Sequence, residues 1–177
     1  MLTEKQQEWI NHLSDTKIVK IKPYNPLSKT AFESRKQQLQ AIVGPDTEIL
    51  FKGAAAWEIS GKGDIDIYIP SPAVQFDKYF HQLKDSLGEP GSFYPLERVR
   101  WNTTTNNIDT EIFLVNQDAD FWKESLDFWN YIESHPEALN EYRIIKENAD
   151  GKSVREYYQA KIEFYNKSLN IIKQSLQ

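Results

Sequence analysis

The chain of 177 residues contains no cysteine. It can therefore form no disulfide, thiolate nucleophile or cysteine-ligated zinc site. It has no apolar run close to the ~20 residues that cross a membrane. Its polar N-terminus, Met1 to Glu8, lacks the apolar core of a signal peptide. We expect a cytoplasmic protein with no membrane partner.

The chain also lacks an excess of positive charge, since its formal net charge is −5. An acidic balance argues against binding to extended nucleic acid, which depends on neutralising many phosphates. Hydrophobic residues make up 40% of the sequence, which is a globular composition. We predict an N-terminal helix within residues 1–16 and a single domain over 17–177. Its core would cover 17–116 and its C-terminal helices 117–177.

Hydrophobic periodicity and turn residues predict a small α+β or α/β core with a helical C-terminal segment. The expected helices cover 3–14, 27–43, 54–58, 72–87 and most of 118–176, with breaks near 134–136 and 150–151. The expected strands cover 18–21, 47–51 and 64–69, the last ended by Pro70. A hairpin is expected from 99–101 and 108–115, around residues 102–107.

The segment Asp-Ile-Asp-Ile-Tyr-Ile at 64–69 alternates acidic or polar with apolar residues. On a strand, Asp64 and Asp66 would share one face, because successive side chains point to opposite faces. Two neighbouring carboxylates repel each other, and a hard cation such as Mg²⁺, with Mn²⁺ as the alternative, would relieve that repulsion. The same alternation is typical of an antiparallel strand with one solvated face, so a purely structural role is the competing interpretation.

A glycine-rich turn precedes this strand, and its backbone N–H groups could reach a phosphate. Gly53 would allow close approach of the backbone, and Lys62 is the nearest flexible cation. Further along, Tyr157 and Lys161 are four residues apart and so share a helix face. They could contact a nucleotide, or they could be a half-buried tyrosine beside a solvated lysine.

The pair Gly53-Ala54, followed after nine residues by Asp64-Ile65-Asp66, resembles the nucleotidyltransferase superfamily of DNA polymerase β. That resemblance implies that Asp64 and Asp66 bind metal with a third carboxylate from a neighbouring strand. Glu111 is the favoured third acid and Asp109 the close second. It also implies phosphate binding at the Gly53-Ala54 turn, although Ala54 stands where that superfamily has a serine hydroxyl.

Three further segments resemble the GrpB family of glutamate-rich proteins, which is assigned to the nucleotidyltransferase fold. They are Ile-Lys-Pro-Tyr-Asn-Pro at 21–26, the aromatic-rich run 128–142, and Tyr-Tyr-Gln-Ala-Lys-Ile-Glu-Phe at 157–164. The likeness spans residues 17–170, with loops unmatched. That family usually has Gly-Ser and a longer loop containing Val-Pro-Gly, and this chain has neither.

The resemblance implies an α+β fold of the nucleotidyltransferase type, with a small mixed β-sheet flanked by helices and a helical C-terminal segment. It also implies Mg²⁺-dependent transfer of a nucleoside monophosphate group from an NTP to an acceptor. The acceptor could be a small molecule, a protein side chain or an RNA end. The alternative is a catalytically inactive nucleotide-binding or protein-interaction module on the same fold. The Asp64/Asp66 pair favours the enzyme, and Ala54 favours the inactive module.

Overall fold

The computed structural model describes residues 2–175 and confirms the predicted α+β class. The helices are α1 (Glu4–Asn11), α2 (Leu27–Val43), α3 (Ala73–Leu87), α4 (Asp120–Ser134), α5 (Pro136–Glu147) and α6 (Val154–Ser175). The strands are β1 (Leu50–Lys52), β2 (Ile65–Ser71), β3 (Ser92–Tyr94), β4 (Arg98–Thr105) and β5 (Ile108–Asn116). Contacts divide the chain into two compact units. The sheet unit comprises Tyr24–Ile59 and Gly63–Lys123, and the helical unit comprises residues 2–23, Ser60–Lys62 and 124–175.

The sheet unit holds a five-stranded mixed sheet in the order β1-β2-β5-β4-β3. The pair β2–β5 is parallel, and the other neighbouring pairs are antiparallel. One face packs against α2 and α3 and forms the core. The side chains of Ile65, Ile67 and Ile69 are fully buried there. Because side chains alternate along a strand, Asp66 and Tyr68 point to the opposite face.

Helix α2 has the predicted bounds, because residues that stop a helix lie at both ends. Pro26 precedes its first residue, and Gly44 follows its last residue with a φ of 117°. Phe32 and Leu39 of α2 are buried in the core. Helix α3 also matches its predicted range closely, and Val74 in its first turn is 92% exposed.

Strand β2 continues through Pro70, so the prediction that this proline ends the strand is wrong. The three-residue strand β1 pairs only with Asp66, Ile67 and Tyr68. At Pro70 the strand therefore has one neighbour, β5, and lies at an edge of the sheet. Proline is tolerated at an edge because its missing N–H leaves no ladder hydrogen bond unmade.

The predicted hairpin is present, but its turn is shorter than residues 102–107. Asn106 and Asn107 adopt φ values of 50° and 64°, as the two central residues of a type I′ hairpin turn do. Strands β4 and β5 therefore run to within two residues of each other. Arg35 of α2 holds this end, donating to the Thr105 hydroxyl at 2.8 Å and to the Thr104 carbonyl at 2.7 Å.

The helical unit contains α1, α5, α6 and the part of α4 from residue 124 onward. Its aromatic rings pack together, with Phe128 edge-on to Phe164 at 6.1 Å and Tyr142 stacked on Phe164 at 5.2 Å. The strand predicted at 18–21 does not form. Ile18 and Lys22 make only isolated bridges, to Ser153 and Gly61. Within residues 2–175, none of the helices combines the length and apolar character needed to cross a membrane.

Candidate functional site

Two acids of the sheet unit meet on the sheet face opposite α2 and α3. Asp66 of β2 and Glu111 of β5 are direct partners in the parallel ladder. Adjacent strands lie about 4.8 Å apart, so the two carboxylates are cross-strand neighbours on one face. The same row continues to Lys52 on β1, opposite Asp66, and to Asn102 on β4, opposite Glu111. Polar side chains therefore line a row across four strands.

The register distinguishes the two acids considered as the third carboxylate. Glu111 pairs directly with Asp66 of β2. The exposed Asp109 lies before the part of β5 that pairs with β2, and its ladder partner is Thr104 of β4. Asp64 is half-buried and lies immediately before β2 rather than within it. The strand geometry thus favours Glu111 as the neighbour of Asp66. The metal-binding roles of all four acids remain predictions.

Gly53 follows β1 and directly adjoins the Asp66 carboxylate. Its φ is 87°, which favours glycine. A Cβ atom at this position would clash with one carboxylate oxygen of Asp66 and would lie 3.3 Å from its Cγ. Glycine is therefore needed here both for its backbone conformation and for the close approach of Asp66. Two of the residues singled out from the sequence are brought together by this contact.

The segment after Gly53 is a series of turns, so the helix predicted for residues 54–58 is wrong. The amide of Trp57 donates to the Gly53 carbonyl at 3.2 Å, and the amide of Ile59 donates to the Ala54 carbonyl at 3.1 Å. Glu58 has a φ of 56°, which a right-handed helix cannot include. Ala54 is 9% exposed and brings no hydroxyl to the turn.

Glu111 has a cationic neighbour, because Arg100 of β4 lies with Nη1 3.7 Å from its Oε1. Among residues 2–175, no three His, Asp or Glu side chains are grouped closely enough to enclose a metal ion. Mg²⁺, however, usually takes one or two carboxylates together with substrate phosphates and water, rather than an all-protein cage. The in-register pair Asp66 and Glu111 fits that mode of binding.

The remaining predicted contacts, Lys62, Tyr157 and Lys161, belong to the helical unit. Tyr157 is fully buried, and its hydroxyl accepts a hydrogen bond from Lys146 Nζ at 3.2 Å. The Nζ atom of Lys161 lies 5.2 Å from the ring centroids of both Tyr157 and Tyr158. The tyrosine is thus more deeply buried than either sequence interpretation assumed. Nucleotide contact by these three residues remains a prediction.

The similarity of this chain to known proteins covers far more than the segment that contains Asp64 and Asp66. The sequence profile of a family described as GrpB protein matches residues 18–170. The chain belongs to the GrpB family. The predicted family resemblance is therefore confirmed, while membership of the wider nucleotidyltransferase superfamily remains a proposal.

Two GrpB proteins show how far the likeness extends. The chain is 26% identical over 157 residues to glutamate-rich protein GrpB of Alkalihalophilus pseudofirmus, covering 80% of this chain and 88% of that protein. A crystal structure of conserved protein GrpB from Enterococcus faecalis superposes with a TM-score of 0.71 at 19% identity. It covers 89% of this chain and 99% of that one. At this identity the second likeness shows a shared fold only.

Sequence reasoning about this GrpB-family chain missed two arginines of β4. Arg98 and Arg100 are two residues apart, so they share the sheet face of Asp66 and Glu111. The alternation Arg-Val-Arg-Trp at 98–101 has the same period as the Asp-Ile-Asp-Ile run and could have indicated this. No local sequence pattern shows the strand order, in which β5 lies between β2 and β4.

Proposed function

We propose that this GrpB-family protein binds a Mg²⁺-nucleoside triphosphate beside Asp66 and Glu111 and transfers its nucleotidyl group to an acceptor. The observation that carries the proposal is the pairing of these two acids in adjacent strands, directly beside Gly53. An oxygen of the acceptor would attack the α-phosphorus of the NTP. The bond to the β-phosphate oxygen would break, and pyrophosphate would leave.

The chain's own residues have distinct parts in this proposal. Asp66 and Glu111, with help from Asp64, would hold Mg²⁺, or Mn²⁺ in its place. The bound metal would neutralise phosphate charge and favour ionisation of the acceptor hydroxyl. Gly53, which has no side chain, would let phosphate oxygens approach the backbone closely.

The alternative is a catalytically inactive nucleotide-binding or protein-interaction module. Two observations favour it. Ala54 removes the hydroxyl expected beside the phosphates, and Arg100 already neutralises part of the charge on Glu111. A carboxylate with a guanidinium neighbour has less need of a metal ion. Binding without turnover would support this alternative.

Calorimetric titration with each NTP, with and without Mg²⁺, tests the proposed site. We expect Mg²⁺-dependent binding that weakens at least about tenfold, or ~1.4 kcal/mol, in Asp66→Asn and in Glu111→Gln. These substitutions keep side-chain size and remove only the charge. Asp77→Asn, on an exposed position of α3, is the matched control and should bind like the wild type. Asp109→Asn tests the second choice for the third acid and should have a smaller effect than Glu111→Gln.

Release of pyrophosphate in the presence of candidate acceptors then separates enzyme from module. Turnover that is lost in Asp66→Asn, with its circular dichroism spectrum unchanged, would support nucleotidyl transfer. If the wild type binds no NTP in a Mg²⁺-dependent way, the proposed site is wrong. Full turnover in Asp66→Asn would overturn the role given to that carboxylate.

A further inference from the structure

The two arginines on β4 differ from the other arginines of the chain in what their guanidinium groups contact. Arg35 is hydrogen-bonded to the hairpin, and Arg143 donates to both oxygens of Glu147 at 2.9 and 2.8 Å. Arg155 donates to the Leu13 carbonyl at 2.8 Å and pairs with Asp15. Each of these three groups is held by acceptors within the protein.

The guanidinium groups of Arg98 and Arg100 contact fewer acceptors within residues 2–175. The guanidinium of Arg98 lies with its Cζ 5.4 Å from the ring centroid of Tyr94, and it makes no hydrogen bond or ion pair to any of residues 2–175. Within the described part of the chain, the guanidinium of Arg100 has only the 3.7 Å approach to Glu111, which is longer than a hydrogen bond. The Nε atoms of both side chains are covered from solvent and have no acceptor among the described residues. A covered donor without an acceptor is costly, so an oxyanion that reaches these groups would be favoured.

The position of these arginines relative to Gly53 suggests which anion they bind. The row of Asp66 and Glu111 has β1 and Gly53 at one end and β4 at the other. Two strand spacings, about 10 Å, separate β2 from β4. If the triphosphate lies at Gly53, the arginines lie on the other side of the acid pair. That side is where an acceptor would approach.

We propose that Arg98 and Arg100 form an oxyanion site that binds a phosphate monoester group carried by the acceptor. Assigning the bound phosphate group to an acceptor rests on the proposed function, whereas anion binding by the two arginines does not. Guanidinium groups bind phosphate through two parallel N–H···O bonds, and two of them match the double charge of a monoester. Because Glu111 partly neutralises Arg100, Arg98 supplies the larger share of the attraction. A rotation of each half-buried side chain would turn its Nε–H and Nη–H edge toward the ligand.

Nuclear magnetic resonance of the arginine Nε–Hε groups tests the site directly. The ¹⁵N-labelled full-length protein is titrated with inorganic phosphate, and sodium chloride at matched ionic strength serves as the blank. We expect saturable shifts of the Arg98 and Arg100 signals, while the signals of Arg35 and Arg155 stay in place as internal controls. Arg98→Gln and Arg100→Gln assign the signals, and each should weaken phosphate binding severalfold. Lys78→Gln, an exposed position on α3, should not.

Repeating the phosphate titration in Asp66→Asn separates this proposal from the proposed function. Saturable shifts that persist in this variant support the anion site even if no NTP binds the wild type. Shifts that are linear, absent or equal at all arginines overturn the anion site even if an NTP binds. Competition between Mg²⁺-NTP and phosphate for the Arg98 and Arg100 signals would assign these residues to the triphosphate and overturn the assignment to the acceptor.

Discussion

At the scale of single residues, Gly53 combines two constraints that can be separated by mutation. Its φ of 87° matches the 85° of Gly88, but a Cβ atom at Gly88 would meet no atom within 4 Å from the described residues beyond its chain neighbours. Gly88→Ala should therefore cost about 1–2 kcal/mol of unfolding free energy, for the backbone conformation alone. Gly53→Ala should cost at least about 1 kcal/mol more, because its Cβ also clashes with Asp66. Urea denaturation measures both.

Removal of the Asp66 carboxylate provides the control. In an Asp66→Ala background, the clash is gone and only the backbone cost remains. Gly53→Ala should then cost about as much as Gly88→Ala. An unchanged cost in that background would mean that the contact between Gly53 and Asp66 carries no energy.

Tyr165 of α6 predicts a loss of stability at alkaline pH. Its pKa is raised from 10.0 to about 12, mainly by burial and also by the negative charges of Glu124 and Asp127, while a hydrogen bond with Ser125 opposes the shift. Below pH 10.0 the tyrosine is protonated in both the folded and unfolded states. As the pH rises from there toward about 12, the unfolded chain loses the proton first, so the free energy of unfolding falls.

Urea denaturation of the wild type and Tyr165→Phe across that alkaline range measures this effect. The wild type should lose more stability than the variant, since phenylalanine has no proton to release. The difference should return to its neutral-pH value when the pH is lowered again. Equal losses in the two proteins would contradict the expectation.

At the scale of elements, α6 begins with a capping box. The Ser153 hydroxyl accepts from the Glu156 amide at 3.2 Å, and the Ser153 amide donates to Glu156 Oε2 at 2.9 Å. Hydrogen bonds from the Ser153 amide and hydroxyl lower the pKa of the Glu156 carboxyl below 4.5. Ser153→Ala should reduce the free energy of unfolding by about 0.5–2 kcal/mol at neutral pH.

The stability that this lowered pKa provides is present above the ordinary glutamate value of 4.5 and is lost as the pH falls through the lowered value. The difference between wild type and Ser153→Ala should therefore shrink in acid. Chemical denaturation at neutral and acidic pH checks it. Glu156→Gln is the control, because it removes the titrating carboxyl and should flatten the acid dependence.

An element could be predicted from the sequence where neighbouring residues determine its ends, and less well where distant parts of the chain do. Proline before α2 and glycine after it are local signals, so both bounds were readable from the sequence. The segment 18–21 has strand-like residues, yet no strand partner lies beside it in the helical unit. Strand β3 was not predicted, because its three residues are too few to show an alternation of apolar and polar side chains. The hairpin was predicted, but its turn was expected to be longer than Asn106 and Asn107, because the threonines before them resemble a loop.

The residues of the candidate site were likewise predictable only where local sequence features indicate them. The spacing of Asp64 and Asp66 and the glycine before them are local features, and they identified the acidic strand. Pairing of Asp66 with Glu111 rather than Asp109 depends on the register of two strands far apart in sequence. The arginines of β4 depend on the strand order, which the chain does not encode locally. Register and order are set by packing of the whole sheet.

At the scale of the whole molecule, ligand binding should appear as a change in thermal stability. A ligand that binds only the folded state stabilises it by about 2.7 kcal/mol at one hundred times its Kd. Saturating Mg²⁺-NTP should therefore raise the Tm of the wild type by several degrees, and the rise should disappear with a chelator. Asp66→Asn should show a smaller rise at the same ligand concentration, whereas Asp77→Asn should match the wild type. Differential scanning calorimetry provides the measurement, and an equal rise in Asp66→Asn would contradict the proposed site.

The sheet's two outer strands, β1 and β3, are each only three residues long. The exposed edge of a strand is a template on which another chain can add hydrogen bonds and begin an aggregate, and a short edge offers few of them. Pro95, which has no N–H to donate, directly follows β3. Phe93 and Tyr94, both 46% exposed, therefore lie on an edge too short to be extended readily. The brevity of β1 and β3 therefore limits how many hydrogen bonds either strand can offer to another chain.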